Sequence, residues 1–158
     1  MAERIPMTPQ GYAKLQEDLR RYKTEERRKI VQEIEAARAH GDISENAEFH
    51  AAKERQSHIE GRILELEDKL ARAQVIDSTG LSGDAVRFGA TVVVVDVETG
   101  EEIEYTLVGE DESDVSRGLI SVTSPVARAL LGKRLDDSVK VRVPRGTREF
   151  EIRDIRFG

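Results

Sequence analysis

Between Pro9 and Ala39 the residues Tyr12, Leu15, Leu19, Tyr22, Ile30, Ile34 and Ala37 recur at spacings of three and four, or at sums of these. Such spacing draws one apolar stripe along a helix. The stripe is interrupted near Glu26, and charged residues crowd the other faces, as in a narrow coiled-coil seam that leaves most of each helix in water. Thr8 before Pro9 supplies a cap and a first-turn proline. After a short turn, Ala51, Ile59, Ile63, Leu66, Leu70 and Ala73 continue the same period to about Val75. The connection is too short for anything but an antiparallel return, so the pattern predicts a helical hairpin. Roughly 30 residues per helix at a rise of about 1.5 Å give an arm about 45 Å long. Gly61 inside the second helix costs about 1 kcal/mol relative to Ala and is expected to mark a bend or a close helix approach.

The helical period stops at Asp77-Ser78-Thr79-Gly80-Leu81-Ser82-Gly83-Asp84, and small polar residues of this kind mark a boundary. Beyond it, Ala90 to Val97 and Glu102 to Val108 are β-branched runs separated by the hairpin signal Glu98-Thr99-Gly100-Glu101. Val139 to Val143 alternates Val with Lys140 and Arg142, and Arg145-Gly146 makes a turn. Glu149 to Phe157 alternates Phe150, Ile152, Ile155 and Phe157 with charge, with one slip in register near Arg153. Between the hairpins lie a short strand, Leu119 to Val122, and a short helix with Ser124 as cap, Pro125 in its first turn and Gly132 as its stop. The expected organisation is a coiled-coil hairpin over residues 1–76 with its tip at 41–46, a linker at 77–84, and a small antiparallel sheet with one short helix over 85–158. Segregated helices and strands place the chain in the α+β class.

Composition narrows the functions. Of the 158 residues 35% are charged and 4% aromatic, with no Trp, which suits a thin seam plus a small second core better than one large globule. The absence of cysteine excludes disulfides, thiolate catalysis and Cys-ligated zinc, and leaves the cytoplasm as the default compartment. No apolar run approaches the roughly 20 residues of a membrane span, and the N-terminus carries no signal-peptide pattern. A net charge of −6 argues against bulk attraction to bare nucleic acid. The charge is uneven: residues 1–76 carry 14 Lys/Arg against 15 Asp/Glu, whereas residues 77–158 carry 11 against 16.

The chemistry concentrates at the turn, His40-Gly41-Asp42-Ile43-Ser44-Glu45-Asn46, where Asp42 and Glu45 stand three residues apart. One reading is local structure: Asp-x-x-Glu has capping-box spacing, and acids in a first turn complement the helix dipole. The other is a divalent-metal site, most naturally for Mg²⁺, which prefers hard oxygen ligands. Two carboxylates alone make a weak site, so this reading requires a partner that supplies further carboxylates and phosphate oxygens, as in two-metal phosphodiester chemistry. A capped turn also fixes its carboxylates, so the readings are compatible. His40, His50 and His58 lack a metal-binding spacing. Arg38, Lys53, Arg55 and Arg62 form either a basic strip for a nucleic-acid strand or solvated partners for Glu48, Glu54 and Glu60.

With these features in view, the chain resembles the bacterial Gre-type transcript cleavage (transcription elongation) factors nearly end to end. The resemblance rests on Ile5-Pro6-Met7-Thr8, the run from Gly41 through Ala52, Ala73-Gln74-Val75-Ile76-Asp77, Phe88-Gly89-Ala90-Thr91-Val92, Leu119-Ile120-Ser121-Val122, and Ser124-Pro125 followed by Ala127-Arg128. It is nearest the GreA-type branch, because Ala51-Ala52-Lys53-Glu54-Arg55 is less basic than the same stretch of the GreB type. The resemblance implies a coiled coil that enters the secondary channel of bacterial RNA polymerase and an FKBP-like C-terminal domain that docks at the entrance. It implies stimulation of the polymerase's intrinsic cleavage of backtracked RNA, with no independent enzyme activity. Asp42 and Glu45 fall on the family's tip acids, which stabilise a Mg²⁺ shared with the polymerase; Ser44 and Asn46 shape the turn or touch substrate. Arg38, Lys53 and Arg55 are implied contacts to the nascent RNA 3′ end, and Ser121, Ser124, Pro125 and Arg128 mark the docking neighbourhood. The resemblance also allows contact with DNA within the elongation complex. The rival readings are a non-catalytic inhibitor of the same channel, a prolyl isomerase or chaperone, and a free-standing metallohydrolase. Four Phe and no Trp give little material for an isomerase pocket.

Overall fold

The computed structural model describes residues 3–41, 46–79 and 83–157. Its elements in chain order are β1 (Ile5–Met7), α1 (Pro9–Arg21), a π-helical turn (Tyr22–Glu26), α2 (Arg27–Arg38), α3 (Ala47–Ala71), β2 (Ala73–Val75), β3 (Thr91–Asp96), β4 (Glu102–Val108), β5 (Leu119–Ser121), α4 (Pro125–Leu130), β6 (Ser138–Val143) and β7 (Gly146–Arg156). Contacts divide the chain into two compact units, one formed by Tyr12–Ala73 with Glu3, the other by Arg4–Gly11 together with Gln74–Gly158. A single cut after residue 76 therefore does not describe the division, because the N-terminal segment Arg4–Gly11 groups with the second unit.

In the first unit the seam residues are those at heptad-like spacing. Leu15, Ile30, Ile34 and Ala37 on one side and Ala52, Ile63 and Leu66 on the other are buried. The antiparallel pairing is bordered by ion pairs: Lys23 with Glu67 at 3.7 Å, Arg27 with Glu60 at 2.8 Å, and Arg55 with Glu33. Each is exposed to water, which screens it and leaves it little net stabilisation, so the seam carries the stability and the pairs trim the register. Gly61 faces open space, with nothing within 4 Å of a Cβ built on it. The expected close approach is absent there, and α3 runs unbroken through it. The second helix also ends earlier than its apolar period suggests. Helix α3 stops at Ala71, and Ala73–Val75 is a strand that pairs with β1, with the Ile76 N–H donating to Met7 C=O at 2.8 Å. Alternating Ala73 and Val75 fit a strand as well as a helical stripe, and a neighbouring strand decided between them.

In the second unit five strands form one sheet in the order β5-β4-β3-β7-β6. The pairs are antiparallel except at one edge, where β5 lies parallel to β4. The register of β3 on β7 shifts between Val93, opposite Asp154, and Val94, opposite Ile152, leaving Arg153 as the extra residue of a bulge. Alternation on β6 buries Val139 and Val141 and exposes Lys140 and Arg142. The core lies between the sheet and α4: Val92, Val94, Leu107, Phe150 and Ile152 meet Ala127 and Leu130. Ser124 caps α4 by accepting from the Ala127 N–H at 3.3 Å, with Pro125 in the first turn.

Candidate functional site

The turn between α2 and α3 is built from both sides. Helix α2 ends at Arg38, and Gly41 follows at φ +113°, a backbone state that suits glycine and lets the chain leave the helix. On the far side Asn46 caps α3, its Oδ1 accepting from the Phe49 N–H at 3.0 Å. Its Nδ2 donates to Ala37 C=O at 2.5 Å, which ties the start of α3 to the last full turn of α2. Asp42, Ser44 and Glu45 lie outside the described residues. The cap position is nonetheless filled by Asn46, so the capping-box reading of Asp42 and Glu45 does not account for how α3 begins.

Behind the turn, Phe49 packs against the cluster of Ile30, Ile34 and Ala52. The Arg38 guanidinium lies 5.8 Å from the Phe49 ring centroid, and the His50 ring meets Phe49 edge-on at 5.7 Å. The basic residues do not form one free strip. Arg55 bonds Glu33 across the hairpin at 2.5 Å, Lys53 donates to Gln56 at 2.9 Å, and Arg62 pairs with Glu65 at 3.2 Å. The acids expected as partners sit elsewhere: Glu60 is held by Arg27, whose bond keeps the carboxyl below its ordinary range, and Glu54 faces His58 at 3.9 Å. Phe49 was missed in the sequence; its signal was the position three residues after the cap, where a ring folds back onto the seam.

Among the described residues no group of three or more His, Asp or Glu is placed to hold a metal ion. The residues expected to dock on a partner lie in an ordered turn: Ser121 and Thr123 hydroxyls lie 2.7 Å apart, Ser124 is the helix cap, Pro125 and Arg128 are exposed. A separate anchor was not legible in the sequence. Glu112 accepts from the Thr8 N–H at 3.0 Å, from the Thr8 hydroxyl, and from the Gly109 N–H at 3.1 Å. Thr8 in turn caps α1 by accepting from the Gly11 N–H at 3.0 Å. The two residues are 104 apart in sequence, so no local pattern announces the pair.

Two family profiles match the chain, one described as "Transcription elongation factor, N-terminal" over residues 5–75 and one as "Transcription elongation factor, GreA/GreB, C-term" over residues 81–157. The chain is 58% identical over 157 residues to the transcription elongation factor GreA of Trichlorobacter lovleyi, covering 99% of each. It is 56% identical over 158 residues to that of Rhizobium leguminosarum bv. trifolii, covering 100% of each. Among solved structures, GreA factor homolog 1 of Thermus thermophilus is 30% identical, with 98% of this chain and 99% of that chain covered and a TM-score of 0.44. No described helix is long and apolar enough to cross a membrane.

Proposed function

Because the chain belongs to the GreA/GreB family of transcription elongation factors, we propose that it binds bacterial RNA polymerase in the secondary channel and stimulates the polymerase's own cleavage of backtracked nascent RNA. The observation that carries this reading is the turn between α2 and α3. In the sequence two acids, Asp42 and Glu45, fall in the connection between α2 and α3, and the cap of α3 is supplied by Asn46. Acids in the short connection of a helical hairpin are suited to work in another molecule's cavity.

The donor chemistry of that pair fits Mg²⁺, since both groups are hard oxygen ligands, and falls short of a complete shell. Asp42 and Glu45 would therefore hold an ion shared with carboxylates of the polymerase and phosphates of the RNA. When bound, Mg²⁺ neutralises charge at the scissile phosphate and acidifies a coordinated water. This chain's own contribution is positional. The Asp42 and Glu45 carboxylate oxygens accept from the attacking water and orient it, Ser44 and Asn46 set the turn that holds them, and the polymerase remains the enzyme. Arg38 and Lys53 face the nascent RNA 3′ end; Arg55, already bonded to Glu33, must exchange that partner to join them. Ser121, Ser124, Pro125 and Arg128 lie on the docking face. DNA is met only within the elongation complex, and the setting is the cytoplasm.

The test is RNA cleavage in stalled, backtracked elongation complexes supplied with Mg²⁺. Addition of the protein is expected to accelerate cleavage. Binding without acceleration would make it an inhibitor of the same channel instead.

A further inference from the structure

The two helical strands of the hairpin do not have the same periodicity. On α3 the seam positions 52, 56, 59, 63, 66 and 70 alternate strictly between intervals of four and three. On the opposite strand Tyr12, Leu15, Leu19 and Tyr22 alternate in the same way, and continuing that alternation would place the next core positions at 26, 29, 33 and 36. Those beyond Glu26 are Lys29, Glu33 and Ala36; the buried residues are Ile30, Ile34 and Ala37, each one place later. The strand therefore carries one surplus residue between Tyr22 and Ile30. Against a seam held at the heptad period of about 3.5 residues per turn, which α3 keeps from 52 to 70, that surplus displaces Ile30, Ile34 and Ala37 by about 100° from the stripe of Tyr12 to Tyr22.

The π-turn lies in that interval. The Arg27 N–H reaches back five residues to Tyr22 C=O, so this turn takes in one residue more than an α-turn. No residue of Tyr22–Glu26 is buried. The Thr24 hydroxyl donates to Arg20 C=O at 2.8 Å, a side-chain bond that competes with the regular ladder and favours the widened turn. We propose that the π-turn at Tyr22–Glu26 is a phase corrector that absorbs one surplus residue, so that α1 and α2 present one continuous seam to α3 and the acidic turn beyond α2 is delivered in its working orientation. The last clause rests on the proposed cleavage function; the phasing itself does not.

The distinction is testable with two single-residue deletions at exposed positions of the same hairpin. Deleting Thr24 removes the surplus and lets Tyr22–Arg27 close as an α-helix with the seam intact. Deleting Ser57 removes one residue from α3, where there is no surplus, and puts Ala52 out of phase with Ile59 and Ile63. Thermal melting by far-ultraviolet circular dichroism is expected to leave the Thr24 deletion within about 5 °C of the parent, or above it, a shift no larger than one weak interaction gives. The Ser57 deletion should melt well below both. Equal loss in the two deletions overturns the proposal, and so does the absence of loss in both. In the cleavage assay the Thr24 deletion should retain the parent's stimulation. If the parent itself gives none, the functional reading fails while the melting comparison still decides the phasing.

Discussion

Asn46 joins the two helices of the hairpin at their turn, with one side-chain oxygen on the Phe49 N–H and the amide nitrogen on Ala37 C=O. Asn46→Ala removes a helix cap and a cross-strand bond together. It should cost about 1 to 2 kcal/mol, the upper part of the range for caps, read as a lower melting midpoint of the hairpin; an unchanged midpoint would remove Asn46 from the account. Asp96 plays the comparable part in the sheet unit. It is buried, bonded to the Glu98 and Thr99 N–H groups at 2.9 and 3.3 Å, and paired with Arg148 at 2.9 Å. The bond from the Glu98 N–H, followed by Arg148, lowers its carboxyl below the ordinary range against the opposing effect of burial. A depressed carboxylate contributes stability above its unfolded value of about 3.9, and that contribution is lost as pH falls through the folded value. Asp96→Asn is thus expected to lower the melting midpoint at neutral pH and to flatten its decline below about pH 4; a parallel acid limb in both proteins would contradict this.

At the scale of elements, Gly61 offers the cleanest stability change. It sits in the interior of α3, exposed, with open space where a Cβ would go. Gly61→Ala should raise the stability of the hairpin by about 1 kcal/mol, the helix-propensity difference, measured by denaturant titration at unchanged slope. Much at this scale was legible in the sequence, because the periods of two and of 3.6 are direct consequences of strand and helix geometry. The strand Glu102–Val108 and the slip at Arg153 fall where alternation places them. What was not legible depended on distant partners. Ala73–Val75 became a strand because β1 lies beside it, and the edge pair β4 with β5 is parallel because the chain passes through short turns at Glu110–Glu112 and Val115–Arg117 before returning. The interruption near Glu26 was visible, but its cause, a π-turn, needed the backbone.

At the scale of the whole molecule, the sequence pointed to a hairpin unit and a sheet unit with an acidic turn as the centre of chemistry. The capping role that competed for Asp42 and Glu45 went to Asn46, a residue whose type made it an equally good cap. The net charge of −6 fits the proposal that RNA is reached by docking on the polymerase rather than by attraction to phosphates. The decisive measurement is cleavage of RNA in backtracked elongation complexes by the parent and by an Asp42→Asn, Glu45→Gln double variant, with polymerase binding measured for both. The account predicts unchanged binding and a loss of stimulated cleavage of at least about 100-fold, the scale for removing groups that orient a nucleophile and its charge. Full stimulation by a variant that still binds would contradict the central claim that these two carboxylates are what the arm delivers.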